Sequence, residues 1–195
     1  MVLALFRFLF RFRGWKIVHS EEVTKEILER CVIIAAPHTT NWDAVYTIAW
    51  FDIANINWKF TIKKEWIKPP FGKMLLRMGA IGIDRSPKKA GEERPSMVEA
   101  TANLFEEHEK LAVVFTPEGT RRKVTEWKTG FYHAAKLANV PIAMGYLDYQ
   151  KREAGVTKVI YPSDDMEADL RKIMDFYKDK IGKYPEKFSV DTRYI

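Results

Sequence analysis

A chain of 195 residues, 47% apolar and 30% charged, has the size and balance of one folded domain, which excludes an intrinsically disordered protein. Its one cysteine, Cys31, excludes an intramolecular disulfide, and its four histidines, at 19, 38, 108 and 133, lack metal-ligand spacing, so no metal site is expected. The net charge of +6 is uneven: residues 1–18 carry +4, residues 59–89 carry +7 and residues 161–195 carry −1, which suits an anionic partner such as a membrane surface, a phosphorylated substrate or nucleic acid.

The chain opens on MVLALFRFLFRF, an apolar stretch interrupted by Arg7 and Arg11. Spaced four apart, the two arginines share one face of a helix. The stretch falls short of the about 20 apolar residues that span a bilayer, and it lacks the small-residue cleavage site of a signal peptide. Phenylalanines beside arginines favour an amphipathic helix in the headgroup boundary of anionic lipid over a helix packed on the protein's own core. The expectation is a membrane-interface helix at residues 1–14, a single domain at residues 15–195, and a peripheral membrane protein.

Residues 14–19 read as a short strand, and Ser20 followed by Glu21 and Glu22 as the N-cap of a helix running to about Arg30. Residues 31–36 form an apolar run of strand length, consistent with a buried central strand that holds Cys31 as a small hydrophobe. After His38, Asn41 is a suitable N-cap for an apolar helix over residues 44–53. Residues 58–62 alternate as a strand does, residues 71–78 suit a short helix ended by Gly79, and residues 80–83 suit another strand. A polar loop over residues 84–91 follows, then a helix carrying Met97, Ala100, Thr101 and Leu104 and ending near His108.

Residues 111–116 are a second apolar run, leading directly into Pro117-Glu-Gly-Thr-Arg121. A helix over residues 130–138, a strand over residues 142–149 and a hairpin partner over residues 156–160 come next. Met166, Leu170, Ile173, Met174 and Tyr177 mark a final amphipathic helix, and the polar tail from Lys183 is expected to be loosely held. Trp66 and Trp127, each flanked by lysines, are the tryptophans expected at a membrane rim. Strands alternating with helices point to an α/β domain, a mixed and mostly parallel sheet flanked by helices, with the N-terminal amphipathic helix added. Ligands on such sheets gather where strands end and helices begin, which puts the His38 and Glu118 segments in one site.

His38-Thr-Thr-Asn-Trp-Asp43 pairs an imidazole at a strand end with a carboxylate at a helix start. The carboxylate can hold one ring nitrogen protonated and leave the other as an acceptor for a substrate proton. With Gly79-Ala-Ile-Gly-Ile-Asp-Arg85, Glu118-Gly-Thr-Arg121 and Val140-Pro-Ile142, this segment resembles, in order, the four motif blocks of the PlsC-like lysophospholipid and glycerol-phosphate acyltransferase family. The resemblance spans roughly residues 30–145 and is strongest to the short bacterial members. Pro37 stands where many members carry Asn, Gly82 where an aromatic or proline is frequent, and Arg122-Lys123 where Ser often begins, while the ionisable residues are intact.

The resemblance implies acyl transfer from a thioester, acyl-CoA or acyl-carrier protein, to the hydroxyl of a lysophospholipid such as a 1-acylglycerol 3-phosphate. It makes His38 the general base and Asp43 its orienting partner. It makes Arg85, Glu118, Gly119, Thr120 and Arg121 the substrate-binding set, with the arginines on phosphate. An anion among phosphate ligands must bond a hydroxyl or anchor an arginine, and both roles are open to Glu118. No metal, no other cofactor and no nucleic acid are implied, and the protein is placed on the cytoplasmic membrane face. Two rival readings remain: an acceptor without phosphate, such as an aminolipid, or a basic membrane- or nucleic-acid-binding protein without catalysis.

Overall fold

In the computed structural model, which describes residues 2–70, 72–83 and 95–195, strands and helices alternate along the chain. The strands are β1 (Lys16–His19), β2 (Arg30–Ala35), β3 (Trp58–Lys63), β4 (Ala80–Ile83), β5 (Leu111–Phe115), β6 (Ile142–Asp148) and β7 (Glu153–Ile160). The helices are α1 (Val2–Phe12), α2 (Lys25–Glu29), α3 (Trp42–Ile53), α4 (Gly72–Arg77), α5 (Met97–Glu107), α6 (Gly130–Leu137) and α7 (Met166–Tyr177). One sheet runs in the order β1-β7-β6-β2-β5-β3-β4, parallel throughout except for the antiparallel pair of β6 with β7. This is the mixed, mostly parallel α/β architecture that the sequence predicts. The strand at 156–160 starts earlier than expected, at Glu153, because β7 also pairs with β1 on its far side.

β2 sits at the centre of the sheet, and its alternation divides the core. Val32 and Ile34 join α5, α6 and α7 through Phe105, Phe131, Leu170 and Tyr177, all nearly devoid of solvent contact. Cys31 and Ile33 join α1, α2 and α3 through Phe10, Leu28, Tyr46 and Trp50 on the other face. Two-sided burial accounts for the continuous apolar run, since each strand residue meets a helix layer above or below. Burial pushes the Cys31 thiol up, so it stays an uncharged core group.

Local chemistry moves several expected boundaries. Ser20 forms a turn, accepting from the Glu22 and Val23 amides, and Thr24 caps α2 instead. Asn41 is not a side-chain cap of α3; Thr40 Oγ1 accepts from the Trp42 amide, and the Asp43 carboxylate takes two amides ahead of the helix. Asn41 already has helical backbone angles, φ −67 and ψ −22, whereas a side chain caps a helix from an extended backbone. Ser96 and Glu99 close a reciprocal capping box at α5, and His108 sits at its C-terminal end as expected. The polar loop expected over residues 84–91 lies outside the described residues.

The C-terminal tail is not loosely held. Asp191 is fully buried and accepts the Trp127 amide at 2.8 Å, while the Trp127 indole donates to the Ser189 carbonyl at 3.0 Å. Trp127 packs against Tyr177 and Phe188 and is 3% exposed, so it belongs to the core and not to a membrane rim. Trp66, 65% exposed, remains available to one. α1 divides its surface: Phe10 packs on Trp15 and Tyr46, and Arg7 pairs with Asp52 of α3 at 2.9 Å, while Leu5, Phe8 and Phe12 are exposed. None of the described helices is long and apolar enough to cross a membrane.

Candidate active site

Three neighbouring parallel strands end on the same edge of the sheet. β2 delivers His38, β5 on one side delivers Glu118, and β6 on the other delivers Tyr149. The α3 N-terminus brings Asp43 to the same place. This is the carboxyl edge at which open α/β sheets bind ligands.

The Asp43 carboxylate organises the centre. Oδ2 accepts the Thr39 amide at 2.7 Å and the Thr40 amide at 2.9 Å, and it lies 3.3 Å from His38 Nδ1. Oδ1 accepts the Tyr149 hydroxyl at 2.6 Å. Asp43 is 4% exposed, so these donors replace nearly all of its water. With Nδ1 turned to the carboxylate, His38 keeps Nε2 for a ligand. Tyr149 went unnoticed in the sequence because it is 106 residues from Asp43 and outside every motif. Its only local signal is its position just past a buried strand.

Glu118 makes a contact that the sequence did not suggest. Its Oε1 accepts the His38 amide at 2.7 Å, and its buried Oε2 makes no hydrogen bond among the described residues. Burial pushes its pKa up to about 8; the His38 amide opposes this and the Asp43 charge reinforces it. A carboxyl at the end of β5 thus pins the backbone of the histidine at the end of β2. Gly119 adopts φ +66, a left-handed turn that glycine accommodates at low cost, and the Lys128 side chain lies across it. A Cβ there would stand 3.0 Å from Lys128 Nζ, which places an ammonium group beside the loop that sequence reading overlooked. Thr120 Oγ1 accepts the Arg122 amide at 3.3 Å, shaping the turn that presents Arg121. Arg85 lies outside the described residues.

His38, Asp43 and Arg121 line a cavity of about 410 Å³. It lies between the sheet, which contributes Ile33, Phe60 and Val114, and the helices, which contribute Ile48 of α3 and Leu75 of α4. Most of its wall is aliphatic or aromatic, and its polar lining is His38, Asp43, Thr47, Thr61, Thr116 and Arg121. The C-terminal segment closes over the histidine loop: the Tyr184 amide donates to Thr39 Oγ1 at 3.3 Å, and a Cβ on Gly182 would meet Thr39 and Pro37. The arrangement can take a proton from a hydroxyl beside an apolar pocket and a cationic loop.

Residues 16–144 match the acyltransferase family model. The chain belongs to the acyltransferase family. The 1-acyl-sn-glycerol-3-phosphate acyltransferases of Salmonella typhimurium and Salmonella typhi are each 35% identical to it over 118 residues, 56% of this chain and 44% of theirs. The chain thus spans less than half the length of these curated relatives. The crystal structure of the 1-acyl-sn-glycerophosphate (LPA) acyltransferase PlsC from Thermotoga maritima superposes with a TM-score of 0.56 at 13% identity, over 91% of this acyltransferase chain and 75% of that one. At that identity the match bears on the fold, which the two share.

Proposed function

We propose that this acyltransferase moves a fatty acyl group from acyl-CoA or acyl-carrier protein to the hydroxyl of a lysophospholipid, 1-acylglycerol 3-phosphate or a close analogue. The observation that carries this reading is the His38–Asp43 pair, with Nδ1 3.3 Å from the carboxylate, at the wall of an apolar cavity of about 410 Å³. The two relatives named for acylating a glycerol phosphate support the acceptor class.

The step follows from the atoms available. His38 Nε2 takes the acceptor hydroxyl proton as that oxygen attacks the thioester carbonyl. Asp43 orients the ring and stabilises the imidazolium. The tetrahedral intermediate collapses to the new ester and expels the sulfur, which leaves as a thiol with the proton held by His38. The apolar cavity suits the acyl chain, since burying each methylene is worth about 0.8 kcal/mol. Arg121, with Arg85 and Lys128, would hold the acceptor phosphate. Glu118, Gly119 and Thr120 shape the loop that carries Arg121 and fixes the His38 backbone.

The exposed face of α1, with Leu5, Phe8 and Phe12 beside basic residues, suits contact with an anionic lipid surface. Residues 1–14 then serve as the membrane-interface helix of a domain over residues 15–195, on the cytoplasmic face where thioester donors are made. The test is acyl transfer from palmitoyl-CoA or palmitoyl-carrier protein to lysophosphatidic acid in anionic liposomes. Phosphatidic acid is the expected product. Transfer confined to acceptors without phosphate would contradict the reading.

A further inference from the structure

The proposed chemistry uses one oxygen of Asp43; the other is held by a residue outside every motif. The geometry points to Tyr149 as a positioning residue for acyl transfer, one that fixes the Asp43 carboxylate and sets how strongly it stabilises the His38 imidazolium. This inference rests on the acyl-transfer reading of the His38–Asp43 pair.

The placement of Tyr149 leaves its hydroxyl little freedom. It follows β6 directly, its amide donates to the Ile181 carbonyl at 2.8 Å, and its ring meets Trp15 edge-on at 4.9 Å and Tyr46 at 6.0 Å. From that cage the hydroxyl donates to Asp43 Oδ1 at 2.6 Å, in the range of strong charge-assisted bonds. Burial, followed by the Asp43 charge, pushes the phenol well above its ordinary value, so it remains a donor at every working pH.

Two consequences follow for the base. The Tyr149 bond gives Asp43 a fixed anchor on the side away from His38, so Oδ2 is presented to Nδ1 in one orientation. The bond also draws carboxylate charge toward Oδ1, which limits how far Asp43 favours the protonated ring. Removing the hydroxyl leaves Oδ1 buried without that donor and lets more of the charge act on His38. Transfer then slows, while the imidazole titrates at higher pH. Among the described residues, the other groups around the pair are Glu118, Arg121 and Lys128 on the segment after β5, Tyr46 on α3, Tyr177 on α7, and Lys183 and Tyr184 on the C-terminal segment. All are common to the wild type and Tyr149→Phe, so the difference between the two proteins reports the hydroxyl.

The experiment compares full-length wild type with Tyr149→Phe, which keeps the ring. It measures kcat and KM with palmitoyl-CoA and lysophosphatidic acid, and it titrates the His38 imidazole by ¹⁵N NMR in the free proteins, with His38→Gln identifying the signals. In Tyr149→Phe, kcat is expected to fall about tenfold with both KM values within about twofold, and the His38 midpoint to rise by about half a pH unit or more. Replacement of Tyr149 by 3-fluorotyrosine, a stronger donor of nearly the same shape, is expected to move the midpoint the opposite way. An unmoved midpoint in both proteins overturns the inference, even if kcat falls. A wild type without turnover would remove the acyl-transfer reading, and the titrations would still show whether Tyr149 governs the pair.

Discussion

With 3% exposure, the Glu118 carboxyl has the His38 amide as a donor at 2.7 Å, and its pKa is pushed up to about 8 from an ordinary 4.5. Between those two values the folded chain holds a proton that the unfolded chain has released. The resulting stabilisation is complete below pH 4.5 and is lost as pH rises through 8. Glu118→Gln, a permanently neutral side chain of the same shape, should therefore gain on the wild type toward pH 9, by on the order of a few kcal/mol. Urea midpoints of the two proteins from pH 4.5 to 9 check this, and a constant difference would contradict it. His38 and Asp43 were legible in the sequence because a strand end and a helix start bring them together locally. The Glu118 contact and the Tyr149 bond were not, because each depends on which strands flank β2, and strand order is not written in any one segment.

At the scale of elements, the tail and α1 make opposite cases. Residues 183–195 are polar enough to read as frayed, yet Asp191 supplies the acceptor for a buried Trp127 amide. Asp191→Ala should cost about 2 kcal/mol by leaving that amide unpaired. Thermal unfolding checks it, and an unchanged melting point would contradict the packing of the tail. The lysines beside Trp127 suggested a membrane rim because flanking charge says nothing of where the indole points. α1 shows the reverse: its apolar residues read as a lipid-facing surface, and Phe10 is nonetheless core. Replacing Leu5, Phe8 and Phe12 together by Ser should abolish co-sedimentation with anionic liposomes and leave thermal stability nearly unchanged. Retained binding would move the membrane contact elsewhere. The apolar runs of β2 and β5 were the most legible elements, since burial on both faces leaves no polar position to obscure them.

For the molecule as a whole, the proposed reaction draws on the sheet edge, the cavity and the charge together. β5, β2 and β6 gather a carboxyl, an imidazole and a phenol at their ends, and the space between the sheet and α3 holds about 410 Å³ of mostly apolar cavity. Arg121 lines it from the segment after β5, and the Lys128 side chain lies across Gly119 of the same segment. The central claim is that His38 is the base that activates an acceptor hydroxyl beside this cavity. The most direct measurement is palmitoyl transfer from palmitoyl-CoA or palmitoyl-carrier protein to lysophosphatidic acid in anionic liposomes, wild type beside His38→Ala. The expected result is phosphatidic acid formed by the wild type, and a loss of about 10²–10⁴ in rate for the mutant with its fold intact. Undiminished transfer by His38→Ala would contradict the account.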